Sequence, residues 1–354
     1  MMDYQEFRKE LIAQFEKQIY QLGLDVKLGF QDVMKNNGVS MDGFVLKGNS
    51  NVSPVVYVNL LHQEYENGTD VREMVRKILQ ALERNPVIQS LDVDQCMNWE
   101  RVKETVIFRV VGSEENQGYQ EDYPCRHEED LLLTYQVLLK VDEEGLASYA
   151  ITDLIQKRMG VTEDELYRAA ISNMPRLLPP FFENMNDTIE KMFFDQSLEE
   201  TESLDIVLEK MQKEDGMYIL SNAEKHYGAA VAFYPGVMDK IAQAFDRDMV
   251  VLPSSVHEMI LLPYVPEMNL SDLKTMVAEI NQTQVKPEEV LSNQVYVYDK
   301  VEKKLMIGEE WKAQKMKKAL QSKPSLKDSL KAKKEQVATT QLEGKKSKSV
   351  DMEH

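Results

Sequence analysis

The stretch Pro253-Ser254-Ser255-Val256-His257-Glu258 places a hydroxyl, an imidazole and a carboxylate within four residues. These groups could form a hydrolytic relay, with Ser255 as nucleophile, His257 as general base and Glu258 as the orienting acid. However, neighbouring residues of a strand point to opposite faces, and known relays assemble from distant segments. We favour a turn between two strands, in which Pro and Ser form the bend.

A second polar segment, residues 221–228, contains His226 and Tyr227 ahead of Gly228. One interpretation is a loop that presents His226 and Tyr227 to a ligand. The alternative, which we favour, is a plain hairpin loop in which Gly228 supplies an unusual backbone angle. If this loop meets the loop at 253–258, the two together would form a polar pocket.

Other chemical signatures are weaker. Cys125 stands beside Arg126 and His127, two groups that could lower the pKa of its thiol, but acidic neighbours oppose this and we favour an ordinary free cysteine. The five His are scattered without the spacing of a metal site, so we expect no metal. No glycine-rich phosphate loop occurs, and we expect no cofactor.

The N-terminal pattern predicts a helix, three strands and a second helix within residues 1–86. Apolar residues recur at steps of three and four from Tyr4 to Leu22, and Gly23 follows as a stop signal. Strands are expected at 24–34, 40–47 and 54–60, the first two joined by the hairpin signal Asn37-Gly38. A second amphipathic helix spans 71–82, and Asp70 and Glu73 resemble a capping box at its start.

The region 87–311 predicts a larger α+β domain with a mixed sheet. The expected strands are 105–111, 131–141, 147–151, 217–221, 229–233, 248–252, 258–264 and 294–299. The expected helices are 153–159, one from Thr162 that ends before Pro175, 198–213, 236–246 and 271–281, with Pro235 at the first position of the helix at 236. The fold class is therefore α+β with two mixed domains.

The last residues of the chain, 312–354, are basic, whereas residues 1–311 are acidic. The chain carries −18, but residues 312–354 hold 12 Lys and 5 acids, which gives them +7 and leaves −25 on residues 1–311. Residues 312–321 could extend a helix, whereas the Lys-rich remainder has too little apolar surface to fold and is expected to be disordered. The start has no signal-peptide pattern and no segment is apolar enough to span a membrane, so we expect a cytoplasmic protein.

Five segments together resemble an uncharacterised bacterial family, known mostly from Gram-positive gut anaerobes and catalogued as a domain of unknown function. They are YQEF (4–7), KNNGV (35–39), PVVY (54–57), TEDELY (162–167) and LPSSVHE (252–258). Residues 131–300 are also similar to a second uncharacterised Gram-positive family, whose pattern departs at Ser254-Ser255 and His257-Glu258. Neither resemblance implies an activity, a cofactor or a functional residue.

These observations favour a non-enzymatic binding or interaction protein. Its expected partner is another protein, which the sequence does not identify. The alternative is a hydrolase-type enzyme whose pocket is formed by the loops 221–228 and 253–258. The acidic body argues against nucleic-acid binding through the whole surface. The basic tail 312–354 either contacts a polyanion weakly or rests on the acidic body, and we favour the second.

Overall fold

The computed structural model describes residues 2–47, 55–84, 92–142, 145–193 and 202–322, and its fold is α+β. The first helix, α1 (Tyr4–Leu22), begins with a complete capping box between Asp3 and Glu6 and ends at Gly23, whose φ of 64° is left-handed. Both ends agree with the sequence prediction. The basic tail expected to be disordered lies, from residue 323 onward, outside the described residues.

The N-terminal sheet has the strand order β1-β2-β3 and is antiparallel throughout. Its strands are β1 (Lys27–Met34), β2 (Ser40–Lys47) and β3 (Val55–Tyr57). Met34 pairs with Ser40 across the turn at Asn37-Gly38, so the predicted hairpin is confirmed. The expected strand at 54–60 is wrong beyond Tyr57, because α2 (Val58–Glu66) follows and its helical spacing buries Val58 and Leu61.

The second predicted helix is α3 (Val71–Arg84), and Asp70 accepts the Glu73 backbone N–H at its start. Its apolar stripe joins α1, α2 and the sheet in one hydrophobic cluster, whose fully buried members include Phe7, Phe15 and Phe44. The short helices α4 (Val93–Cys96) and α5 (Trp99–Val102) lead into the rest of the chain.

The second sheet is built around the long strand β6 (Leu131–Asp142). On one side lies β4 (Val106–Gly112), and on the other lie β5 (Cys125–Glu128) and β7 (Gly145–Ala150), all antiparallel to β6. The central strands are buried, as their unbroken apolar runs predict. The strand β5 and the short helix α6 (Tyr119–Asp122) before it were not predicted.

Two helices follow the second sheet, α7 (Asp153–Met159) and α8 (Glu163–Leu177). The capping box at Thr162 is present, but the expected end before Pro175 is wrong because α8 continues through the proline. Its last turns are fixed by burial of Met174 and by Asn173, whose amide donates to the carbonyls of Lys103 and Val106. These contacts outweigh the hydrogen bond that the proline removes.

The third sheet has six strands in the order β13-β12-β10-β11-β9-β8. They are β8 (Pro180–Asn184), β9 (Tyr218–Asn222), β10 (Met249–Ser255), β11 (Glu258–Pro263), β12 (Tyr296–Asp299) and β13 (Lys304–Ile307). The helices are α9 (Met185–Phe193), α10 (Leu204–Lys210), α11 (Val237–Phe245), α12 (Leu270–Thr283) and α13 (Gly308–Ser322).

Two predictions in this region are wrong. The apolar run at 229–233 forms a 3₁₀ helix, Gly228–Phe233, and not a strand. Pro235 precedes Gly236, which caps α11 with a φ of 76°, so it does not occupy the first helical position. A single hydrophobic cluster contains side chains from both the second and the third sheet. Among the described helices, none is both long and apolar enough to cross a membrane.

Candidate functional site

The loop after β9 and the turn between β10 and β11 lie side by side. Because β9 and β11 are neighbouring antiparallel strands, the loop that follows β9 and the turn that precedes β11 emerge at the same end of the sheet. The ring centroids of His226 and His257 are 5.1 Å apart, and those of Tyr227 and His257 are 5.7 Å apart in a stacked arrangement. His226 and Tyr227 contact each other edge to face at 4.3 Å. The structure therefore brings together the two loops considered in the sequence analysis.

Buried Asn222 gives the loop its shape. Its side-chain amide donates to the carbonyl of His226 at 2.8 Å, and its carbonyl oxygen accepts the His226 backbone N–H at 3.2 Å. Lys225 and Tyr227 both adopt left-handed backbone angles, with φ of 50° and 52°. The unusual angles that the sequence analysis assigned to Gly228 thus belong to these two residues.

Gly228 is required for a different reason, namely close approach. A Cβ at this position would lie 2.0 Å from Ser221 Oγ, 2.5 Å from the carbonyl oxygen of His257 and 2.7 Å from the backbone nitrogen of Asn222. Ser221 Oγ itself donates to that same carbonyl at 2.8 Å. Without a side chain at Gly228, the two loops can pack against each other at backbone distance.

His257 is held as a neutral imidazole with a defined tautomer. Its Nδ1 accepts the Tyr227 backbone N–H at 3.2 Å, so the ring proton resides on Nε2, which faces Glu289 Oε1 at 3.9 Å. Burial lowers the pKa of His257, and the carboxylates of Glu289 and Glu258 oppose this only in part. Burial and then the neighbouring His257 also lower the pKa of His226.

Ser255, His257 and Glu258 make contacts other than those of a hydrolytic relay. Ser255 Oγ accepts the backbone N–H of His257 at 3.0 Å, and Glu258 Oε1 accepts the hydroxyl of Ser254 at 3.2 Å. The carboxylate that faces the imidazole is that of Glu289, which the sequence analysis did not consider. A catalytic role for the three residues stays a prediction.

Arg109 extends the site on the side of the second sheet. It lies on β4, where it is half-buried, and its Nε donates to Thr134 Oγ1 at 3.3 Å while Nη2 donates to the Tyr119 hydroxyl at 2.6 Å. Its guanidinium carbon is 5.3 Å from the Tyr119 ring centroid and 5.6 Å from that of Tyr227. No carboxylate of the described residues lies within ion-pair distance of this guanidinium. A single charged residue in the apolar run of β4 was the signal that the sequence offered.

The segment that supplies Glu289 is anchored from two directions. The carbonyl of Glu289 accepts the Val256 backbone N–H at 2.8 Å, which ties this segment to the turn before His257. The N-terminal hairpin ties it from the other side, because the Asn37 amide donates to the carbonyls of Pro287 and Val290 at 2.8 and 2.7 Å. The position of Glu289 therefore depends on residues about 250 positions away.

A sequence model of a family of unknown function, DUF5688, matches residues 4–300. The chain belongs to this family. The match includes the N-terminal hairpin, Arg109, both loops and Glu289, so the whole arrangement lies within the family region. No curated protein and no solved structure matches the chain.

Cys125 is not activated by its cationic neighbour. Arg126 forms a two-pronged ion pair with Glu163, at 3.0 and 2.7 Å, and also contacts Asp164. Burial, and then the charges of Glu163 and Asp153, raise the pKa of the Cys125 thiol. Within the part of the chain that the structure describes, three or more His, Cys, Asp or Glu side chains do not come together as a metal site.

The acceptor role of His257 Nδ1 gives a test by substitution. Asn places its side-chain oxygen near the position of Nδ1, whereas Gln mimics Nε2. We expect His257→Asn to retain most of the stability, and His257→Gln and His257→Ala each to lower the free energy of unfolding by about 1 kcal/mol, because the Tyr227 N–H loses its acceptor. Urea unfolding of the three variants measures this, and equal losses for Asn and Gln would contradict the assigned hydrogen bond.

Proposed function

We propose that the protein is a non-enzymatic binding module for a small ligand that carries a negative charge and a planar group. The ligand contacts what we call the arginine–aromatic cluster, consisting of Arg109, Tyr119, His226, Tyr227 and His257. The observation that carries the proposal is the half-buried Arg109 guanidinium, which has no carboxylate within ion-pair distance among the described residues although the chain has a net charge of −18.

Charge is the first support. A half-buried cation has lost part of its hydration, and most such groups in proteins are compensated by an anion. Two of the donors of Arg109 are occupied by neutral hydroxyls, and Nη1 makes no hydrogen bond within the described residues. A planar carboxylate or a similar oxyanion matches the geometry of the remaining donors.

The rings supply the second support. Tyr119 and Tyr227 both contact the guanidinium, and the Tyr227 ring is stacked with His257. Rings in this arrangement present faces and edges to a flat ligand, while neutral imidazoles add donors and acceptors without a fixed charge. Because burial lowers the pKa of both His226 and His257, neither adds a positive charge at neutral pH.

A hydrolase-type enzyme is the second candidate, and the proximity of the two loops favours it. His257 is a poor general base in this arrangement, since Nδ1 already accepts an amide and Nε2 carries the proton. In the described residues, the ring nitrogens of His226 make no hydrogen bond, and its lowered pKa keeps it unprotonated near neutral pH. If the protein is an enzyme, His226 is the better placed of the two imidazoles to act as the base.

Binding of benzoate tests the first candidate, with benzamide as the uncharged probe and cyclohexanecarboxylate as the non-planar one. We expect benzoate to bind most tightly, and Arg109→Gln to weaken its binding about tenfold, measured by ligand-observed NMR. Arg247→Gln, which removes an exposed guanidinium paired with Asp215, serves as the matched control. Equal binding of benzoate by the wild type and Arg109→Gln would refute the anchoring role.

A measurement of hydrolytic turnover distinguishes the enzyme candidate from the binding module. A hydrolytic activity that is lost in both His226→Ala and His226→Gln, while benzoate binding persists, would favour the second candidate.

We keep the cytoplasmic location as part of the proposal, supported by the free thiols of Cys96 and Cys125. Protein partners and weak polyanion binding by the tail 312–354 also remain proposals, and most of that tail lies outside the described residues.

A further inference from the structure

A cavity of about 520 Å³ runs along the edge strand β8, and its lining contains no residue of the arginine–aromatic cluster. Its wall includes the four consecutive residues Phe181, Phe182, Glu183 and Asn184. Alternate residues of a strand point to opposite faces, so a space that contacts four in succession follows the edge of the strand. The helices α9 and α10 also line the cavity, through residues such as Asp187, Lys191, Val207 and Lys210.

The β8 edge offers backbone hydrogen bonds. This strand is the last in the six-stranded sheet, with β9 on one side and, among the described residues, no strand on the other. Every second residue of such a strand directs its backbone N–H and C=O away from its neighbour, where they can pair with an added chain, although Pro180 has no N–H to donate. Phe181, Phe182, Val207 and Met211 supply apolar surface for side chains.

The charges of the cavity are divided between its two ends. In the ion pairs Lys191–Glu183 and Lys210–Glu202, the two charges of each pair neutralise each other. The carboxylates of Asp187 and Glu214 and the ammonium of Lys225 have no ion-pair partner in the described part of the chain, and all three line the cavity.

The two carboxylates belong to the end where Asn184 pairs with Tyr218. Asp187 follows Asn184 by three residues, and the Tyr218 hydroxyl donates to the Glu214 carbonyl at 3.0 Å. Lys225 belongs to the end where Pro180 pairs with Asn222, since it follows Asn222 by three residues and its ammonium lies 4.9 Å from the Phe181 ring centroid. The four strand steps from Pro180 to Asn184 span about 13 Å.

We propose that this cavity binds a short free peptide of about four residues, which adds to β8 as an antiparallel strand. Its amino terminus lies at Asp187 and Glu214, its terminal carboxylate lies at Lys225, and its apolar side chains contact Phe181 and Phe182. An extended chain of about four residues matches the 13 Å between the charged ends. A single amino acid is too short to reach both.

The peptide Ala-Leu-Ala-Leu is the test probe, compared with its N-acetylated form, its C-amidated form and the dipeptide Ala-Leu, using isothermal titration. We expect the free tetrapeptide to bind best, and each cap to weaken binding about fivefold. Lys225→Met abolishes the difference between the free and the amidated peptide. The double variant Asp187→Asn/Glu214→Gln abolishes the difference between the free and the acetylated peptide.

Matched controls separate this site from other effects. Lys157→Met removes an exposed lysine on α7 and leaves all four affinities unchanged. Arg109→Gln also leaves them unchanged, so the result is independent of the arginine–aromatic cluster. Absence of saturable tetrapeptide binding up to about 10 mM, or equal affinities for the free and capped peptides, would overturn the proposal.

Discussion

Replacing Gly228 with alanine is expected to lower the free energy of unfolding by about 3 kcal/mol. The new methyl group would lie 2.0 Å from Ser221 Oγ, and 2.5 and 2.7 Å from the backbone atoms His257 O and Asn222 N. The hydroxyl can rotate away, although it would give up its hydrogen bond to His257. Asn222 is buried and His257 is half-buried, and other hydrogen bonds hold both segments in place, so the loops must separate.

A double variant distinguishes the two sources of strain. Ser221→Ala removes the nearest atom but leaves both backbone contacts, so Ser221→Ala/Gly228→Ala should recover only part of the loss. Gly118→Ala is the control, because Gly118 has a φ of −62° and nothing within 4 Å of its ideal Cβ. We expect this change to be neutral or to stabilise by up to about 0.5 kcal/mol.

Urea unfolding followed by circular dichroism gives the stabilities, and the imidazole proton signals of His226 and His257 report the loops directly. Separation of the loops should move both signals in Gly228→Ala and neither in Gly118→Ala. If the two glycine variants unfolded at the same urea concentration, the close approach at Gly228 would not be limiting.

The sequence was most informative where one periodicity extends over many residues. The α1 stripe, the hairpin at Asn37-Gly38 and the buried strands β4 and β6 were predicted because burial of one face dictates the spacing of apolar residues. The capping box at Thr162 marked the start of α8 equally well. These are local signals, and here the tertiary structure agrees with each of them.

Short apolar runs were less informative. The run at 229–233 is fully apolar, and five apolar residues do not distinguish a strand from a 3₁₀ helix. Pro175 usually ends a helix, but the buried side chains of Asn173 and Met174 keep α8 intact around it. In both cases packing against distant segments decides the local structure, and no neighbouring residue encodes it.

The site also combines residues that local sequence signals indicate with residues that distant segments supply. Both loops could be recognised in the sequence as candidate sites, because each combines polar groups with turn residues. In the relay interpretation, which was not the favoured one, Glu258 was the carboxylate beside His257. The imidazole in fact faces Glu289, and Asn37 holds this segment through the carbonyls of Pro287 and Val290. Arg109 comes from another sheet altogether. Contacts across such separations follow from topology, which one sequence does not display.

The second large effect is expected at Asp299, the last residue of β12 before the turn to β13. Its Oδ1 accepts the backbone N–H groups of Val301 and Glu302 at 2.9 and 3.0 Å. Its Oδ2 accepts the Trp311 indole at 2.9 Å and the Lys315 ammonium at 2.8 Å. Solvent reaches only 2% of the side chain, so these donors act on a carboxylate that water hardly screens.

This carboxylate stabilises the fold only while it is charged. Burial alone raises its pKa, but hydrogen bonds from Lys315, the turn backbone and Trp311 outweigh burial and lower the pKa from 3.8 to about 2. A depressed native pKa means that the stabilisation, about 2 kcal/mol, is complete above the unfolded-state value and is lost as the pH falls towards the native value. About half of it should be gone at pH 3.

Asp299→Asn should therefore lower the free energy of unfolding by about 3 kcal/mol at neutral pH, because an amide cannot accept at both positions and has no charge for Lys315. The difference from wild type should shrink by about 1 kcal/mol at pH 3. Urea unfolding followed by tryptophan fluorescence at the two pH values measures both quantities. Asp215→Asn, which removes an exposed partner of Arg247, should change neither. A loss in Asp299→Asn that is the same at both pH values would assign the effect to shape alone, because the other carboxylates are common to both proteins and cancel in the difference.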